Sequence, residues 1–193
     1  MKNSFFLILL LFTSCGYHLG RSENTEKLCV CVPYVENEFA PHFTSEIIKQ
    51  ITYSPTLVYT YSDAPYSLRV KIIEDSVSQI GYRYDRNNQN VRQKDLRATE
   101  GRQKITAQVE IIETDTNISR FGPVNVTASE DFDYVDQDSL SDLSFIDPNG
   151  VRTTVLSFSL GQLESIESAK DAASKPLYEK LAKKIVDAIS AYW

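Results

Sequence analysis

Two stretches decide the fold: Leu68-Arg69-Val70-Lys71-Ile72 and Ile105-Thr106-Ala107-Gln108-Val109-Glu110-Ile111. In both, apolar and polar residues alternate with a period of two, the mark of a strand with one face toward a core and one toward water. They flank a long polar interval, so they are expected to pair antiparallel as the arms of a hairpin. Working outward, Phe121 to Tyr134 resumes the pattern with Val124, Val126, Ala128 and Phe132 on one face, after a turn containing Asn117-Ile118-Ser119. Upstream, Leu28 to Val32 is a strand ended by Pro33, with Leu28, Val30 and Val32 on one face. Leu57 to Tyr61 is a short strand followed by the turn Asp63-Ala64-Pro65.

Two segments carry the helical period instead. Pro41 to Tyr53 places Phe43, Ile47, Ile48 and Ile51 three and four residues apart, with Pro near the first turn and Ser54-Pro55 as the stop. Leu163 to Trp193 places Leu177, Leu181, Ile185 and Ile189 four apart, and Pro176 is a point where this helix can bend. Strand, helix, three or four strands and helix, each with one apolar face, define an α+β two-layer sandwich. Its sheet, mixed or antiparallel, has four to five strands, and both helices pack on one face.

The first residues belong to another logic. Lys2 precedes an unbroken apolar run from Phe5 to Phe12, too short for the roughly 20 residues of a membrane-spanning helix. It reads as the core of a cleaved signal peptide over residues 1–14, with small residues just ahead of Cys15. Small residues followed by Cys resemble the bacterial lipobox, in which this thiol and the new amino terminus are acylated. Phe12 stands where Leu is usual. Residues 15–27 then form the lipid anchor and tether, and 28–193 a single domain.

Loss of residues 1–14 leaves 179 residues of the 193 and, with Lys2 gone, changes the net charge from −6 to −7. That balance argues against a nucleic-acid binder. Cys29 and Cys31 share a strand face with α-carbons about 6.6 Å apart, the upper edge of disulfide geometry. A strained bridge and plain packing both stay open, whereas a metal or redox site lacks a further cysteine and a histidine cluster. His18 and His42 are the two histidines, and neither a Gly-x-Ser-x-Gly nor a phosphate-cradling glycine loop is present. The expectation is no enzyme, no catalytic residue, no metal and no cofactor beyond the covalent lipid. The acidic run from Glu130 to Asp142 fails as an EF-hand, with Asp136 where Gly is needed and Asp142 where Glu is needed, and reads as solvated charge; Asp136 to Gly150, ending in Asp147-Pro148-Asn149-Gly150, reads as a loop.

The interval Tyr82 to Arg102 has no usable period and reads as a long hairpin tip or extended loop. Between residues 83 and 104 seven basic side chains face three acidic ones, a local +4 on an acidic chain. Arginine forks bind phosphate and carboxylate in a bidentate manner, so Arg83, Arg86, Arg92, Lys94 and Arg97 are candidate anion ligands. A solvated hairpin whose charges keep an edge soluble is the alternative.

Cys15-Gly16-Tyr17-His18-Leu19 resembles the start of mature LptE, the outer-membrane lipoprotein family of lipopolysaccharide assembly. This chain continues Gly20-Arg21 where the family usually has Arg-Gly, and Leu160-Gly161-Gln162-Leu163 before the last helix is also similar to distant members. The resemblance implies a plug and assembly partner of the β-barrel LptD in a 1:1 hetero-complex. It implies contact with lipopolysaccharide through a basic tip, and an anchor on the periplasmic side of the outer membrane, with which Gly16 rather than Asp agrees. A non-enzymatic envelope lipoprotein with another periplasmic or surface partner would share the fold and anchor.

Overall fold

The computed structural model describes residues 27–38, 42–87, 89, 91–136, 139, 144–154 and 166–193. Cys15, the rest of the lipobox and tether up to residue 26, and Leu160-Gly161-Gln162-Leu163 lie outside the described residues. The elements run β1 (Leu28–Cys31), α1 (His42–Tyr53), β2 (Leu57–Tyr59), β3 (Tyr66–Arg86), β4 (Arg92–Glu113), β5 (Ser119–Asp133), β6 (Ser144–Ile146), β7 (Arg152–Thr154) and α2 (Ile166–Tyr192). Five strands form a sheet in the order β2-β1-β3-β4-β5. β1 is parallel to both of its neighbours, while β3, β4 and β5 are antiparallel, so the sheet is mixed.

Both helices cover one face of this sheet, giving the α+β sandwich that the alternating stretches predict. Leu68, Val70, Ile105, Val109 and Ile111 from the sheet join Phe43, Ile47 and Ile51 of α1 and Leu177, Leu181, Ile185 and Ile189 of α2 in one buried cluster. Phe43 stacks on Tyr178 with ring centroids 5.3 Å apart, which ties the helices to each other. Burial pushes the Tyr178 phenol up from its ordinary pKa. The first turn of α1 is held from outside the helix: the Glu38 carboxylate accepts from the backbone N–H of Phe43 and Thr44 and from Thr44 Oγ1. A carboxylate there satisfies donors that the helix cannot and meets the positive end of its dipole. α2 continues through Pro176. Pro176 and Ala172, whose carbonyl loses its helical donor, both lie on the exposed side, where water can replace the missing bond.

The poor alternation in the far half of β3 has a structural cause. The register shifts between Ile72 and Glu74 and again around Gly81, and each bulge turns the strand over. Even-numbered residues face the helices up to Ile72; past the bulge Asp75 pairs with Ile105 and Gln79 with Gly101, so odd residues take over. The inserted polar group is satisfied across the layers. Gln103, 1% exposed, donates from Nε2 to Asp75 Oδ1 (3.0 Å) and accepts from Ser174 of α2 (3.2 Å). Gly101 lies under the Phe132 ring, where a Cβ would come within 2.6 Å of Phe132 Cζ.

One open alternative closes and one expectation changes. Of the two readings of Tyr82 to Arg102, the hairpin tip holds: the β3–β4 ladder continues to the pair Arg86↔Arg92. The polar composition hides a ribbon because neither strand has a buried face to impose a period. The stretch after Asp136 is not loop throughout, since β6 and β7 pair across the turn at Asp147–Gly150. Asp147 Oδ1 accepts from the N–H groups of Asn149 and Val151, the local bonding that makes Asp-Pro-Asn-Gly a turn. Cys29 and Cys31 are unbridged and half-buried on β1.

Candidate functional site: the tip of the β3–β4 ribbon

β4 has 22 residues, which at about 3.3 Å each makes it roughly 70 Å long. β5 accompanies it only as far as the pair Glu100↔Asp133. Beyond that, residues 82–86 and 92–98 form a two-stranded ribbon standing clear of the sheet.

Of the five nominated residues, four meet in cross-strand pairs. Arg83 faces Arg97 and Arg86 faces Arg92. Like charges directly opposite each other destabilise a ladder unless neighbouring groups compensate them, and here a ring and carboxylates do so. Arg92 lies with its guanidinium 3.5 Å from the centroid of the Tyr84 ring, a cation–π contact. Arg97 is held by carboxylates, 2.7 Å from Asp95 and 3.4 Å from Asp136. Lys94 is exposed on β4. Arg102 and Lys104, which also contribute to the sequence-level excess of charge, are part of the sandwich. Arg102 clasps Asp131 with two hydrogen bonds (2.6 and 2.8 Å) and Lys104 pairs with Glu74 (2.7 Å). The Arg102 bond holds the Asp131 carboxyl below its usual pKa, and the Lys104 bond does the same to Glu74.

Three contributions were invisible to charge counting. Tyr82, Tyr84 and Leu96 on the ribbon, Val91 at its turn, and Val77 and Ile80 on β3 just before it are large apolar side chains left exposed. Arg152 reaches the turn from β7, its Nη1 donating to the Asn87 carbonyl (2.9 Å). Asp85 is buried and accepts from the Ser139 hydroxyl (2.9 Å) and the Arg86 N–H (2.8 Å), which places a carboxylate inside the basic tip. The aromatic signal was present in the sequence as Tyr82-x-Tyr84. The β7 and Ser139 contacts are long-range and had no local signal.

Where the ribbon leaves the sandwich, Gln79, Tyr82, Leu96, Arg97, Tyr134 and Ile166 line a cavity of about 520 Å³. Burial pushes the Tyr134 phenol up from its ordinary pKa. Among the described residues no group of three or more His, Cys, Asp or Glu is placed to hold a metal, and no helix is long and apolar enough to cross a membrane. The tip offers forked cations beside apolar and aromatic surface, groups that can hold a carboxylate or phosphate.

No protein-family profile matches the chain, and no curated protein matches it by sequence. Solved structures that are similar in shape include a minor lipoprotein from Acinetobacter baumannii (11% identity, 86% of this chain and 93% of that one, TM-score 0.47). Rare lipoprotein B from Shewanella oneidensis is another (11% identity, 85% and 95%, TM-score 0.42). A third is an uncharacterized lipoprotein B from Nitrosomonas europaea (10% identity, 88% and 86%, TM-score 0.42).

Proposed function

We propose that this chain is a non-enzymatic outer-membrane lipoprotein, anchored through Cys15 on the periplasmic side. In this reading it acts as plug and assembly partner of an LptD-like β-barrel that carries lipopolysaccharide to the outer leaflet. The observation that carries the reading is the ribbon itself, which extends arginine, lysine and exposed aromatic side chains beyond the body. It projects at the end of β3 remote from β1, where the chain enters from the anchor. The tip sets arginine forks beside exposed aromatic and apolar side chains, the combination that the phosphates and apolar body of an anionic amphiphile would engage together. The Cys15-Gly16-Tyr17-His18-Leu19 start supports the same reading by resemblance.

The test is recovery of the chain in mild detergent through a C-terminal tag. A stoichiometric large β-barrel co-purifies if the proposal holds. Recovery of the lipidated chain with a different envelope protein, and no barrel, would replace it with the lipoprotein of another partner. Labelled palmitate should enter the wild type and not Cys15→Ala.

A further inference from the structure

The end of the sandwich opposite the ribbon is rich in exposed rings. Leu28 N donates to Thr56 O (2.9 Å), the Ser190 hydroxyl meets that of Thr56 (2.7 Å), and Thr114 N donates to Pro65 O (2.9 Å). The start of β1, the last turns of α1 and α2 and the β4–β5 turn are thereby gathered at this end. Here Trp193 packs edge-on against Tyr66 (centroids 5.9 Å apart) and Tyr192 (5.3 Å), and Tyr192 against Phe121 (5.2 Å). Tyr53 is 72% exposed, Tyr61 89% and Tyr192 63%, and Ile118, in the β4–β5 turn, is 52% exposed. Tyr61 lies in the connection whose Ala64 carbonyl accepts from Thr114 Oγ1 (2.8 Å).

We infer that this aromatic end rests on a zwitterionic phospholipid surface, its tyrosine rings and Trp193 at headgroup depth. The inference rests on lipid attachment at Cys15. Tyrosine and tryptophan join an apolar body to a polar tip and concentrate where hydrocarbon gives way to water. Twelve residues, 16–27, separate Cys15 from β1, and even fully extended they reach about 40 Å. β3 carries the ribbon tip some 20 residues, roughly 65 Å, from Tyr66. The aromatic end is therefore the end held nearest the anchored leaflet. Its charge is balanced: Asp63, Asp115 and Glu113 stand against Lys27, Arg69 and Arg120, with Arg120 engaged by Glu113 (2.9 Å) and Arg69 by Asn117 (3.3 Å), so this end has no basic excess to select an anionic headgroup over a neutral one.

Trp193 is the one tryptophan of the chain and reports directly. The lipidated full-length protein is reconstituted in phosphatidylcholine vesicles carrying a quencher at headgroup level or deep in the acyl chains. The headgroup quencher should dim Trp193 more than the deep one, and Tyr53→Ser with Tyr61→Ser, both on exposed side chains, should reduce that quenching at least twofold. An anchored protein whose Trp193 is untouched by either quencher would overturn the inference. So would quenching that arises only once a purified β-barrel partner is added, which would assign this end to a protein rim. The Cys15→Ala chain separates the two readings: quenching at excess vesicles sustains the lipid contact even if Cys15 carries no lipid, whereas a Cys15→Ala chain that is not quenched alongside an anchored wild type that is not quenched either overturns it.

Discussion

The β3–β4 ladder has two halves that share a hydrogen-bond pattern and differ in everything their side chains do. From Tyr66 to Asp75, opposite Ile105 to Glu113, it lies between neighbouring strands and beneath two helices, and its inward residues are almost wholly buried. From Tyr82 to Arg86, opposite Arg92 to Ala98, it has no third strand among the described residues, and its apolar side chains stand in solvent. The first half is held by burial of apolar area. In the second, the strands are held by backbone bonds and a few specific contacts, such as Arg92 on Tyr84, Arg97 on Asp95 and Asp136, and Ser139 on Asp85. The lesson is that a strand pair can be a core at one end and a presenting arm at the other without a break in the ladder.

Substitutions should divide the two halves by size of effect. In the sandwich, Leu181→Ala or Ile185→Ala removes a fully buried side chain that touches both layers and should cost about 2–5 kcal/mol in urea unfolding. Gln103→Leu leaves Asp75 and Ser174 without their shared partner and should cost about 1–3 kcal/mol by the same measurement. A near-wild-type value for Gln103→Leu would mean that the polar bridge between sheet and helix is dispensable.

Acid should act on the sandwich as well. Hydrogen bonds from Lys104 lower the Glu74 pKa, those from Arg102 lower that of Asp131, and those from Thr116 and then Arg120 lower that of Glu113. Because the folded values lie below the unfolded ones, near 4, the unfolded chain takes up protons first on acidification. The stability these groups contribute is present above about pH 4 and is lost as pH falls through their folded values. The melting temperature should drop below pH 4, and more gently in Glu74→Gln.

A smaller effect is expected at the outer edge of the sheet. Lys180 and Lys184, one turn apart on α2, donate to the Ser129 and Thr127 carbonyls of β5 (3.0 and 2.9 Å), which occupies an edge that another strand could otherwise join. Replacing both with Ala should leave the melting temperature close to wild type while raising self-association in sedimentation. The ribbon arginines come last: each to Ala should change stability by no more than about 0.5 kcal/mol, as is usual for surface positions.

The sandwich was legible because burial writes a period into the sequence. Leu68-x-Val70-x-Ile72 and the four-residue steps of Leu177, Leu181, Ile185 and Ile189 name their own partners. The ribbon was less legible for the same reason, since residues without a continuous apolar core beneath them need no period, and the bulges at Ile72/Glu74 and Gly81 scramble what period there is. Its charge and the hairpin reading were visible, and the extent of its ladder was not. Asp85, buried by Ser139, and Arg152, delivered by β7, depend on contacts between distant segments, for which no local pattern exists.

The measurement that bears most directly on the ribbon as a binding arm is titration with purified lipopolysaccharide of the wild type and of the chain with Arg83, Arg86, Arg92, Lys94 and Arg97 all replaced by Ala. A variant that melts close to the wild type but binds at least tenfold more weakly is the predicted result. Equal affinity at equal stability would contradict the ligand role of the tip.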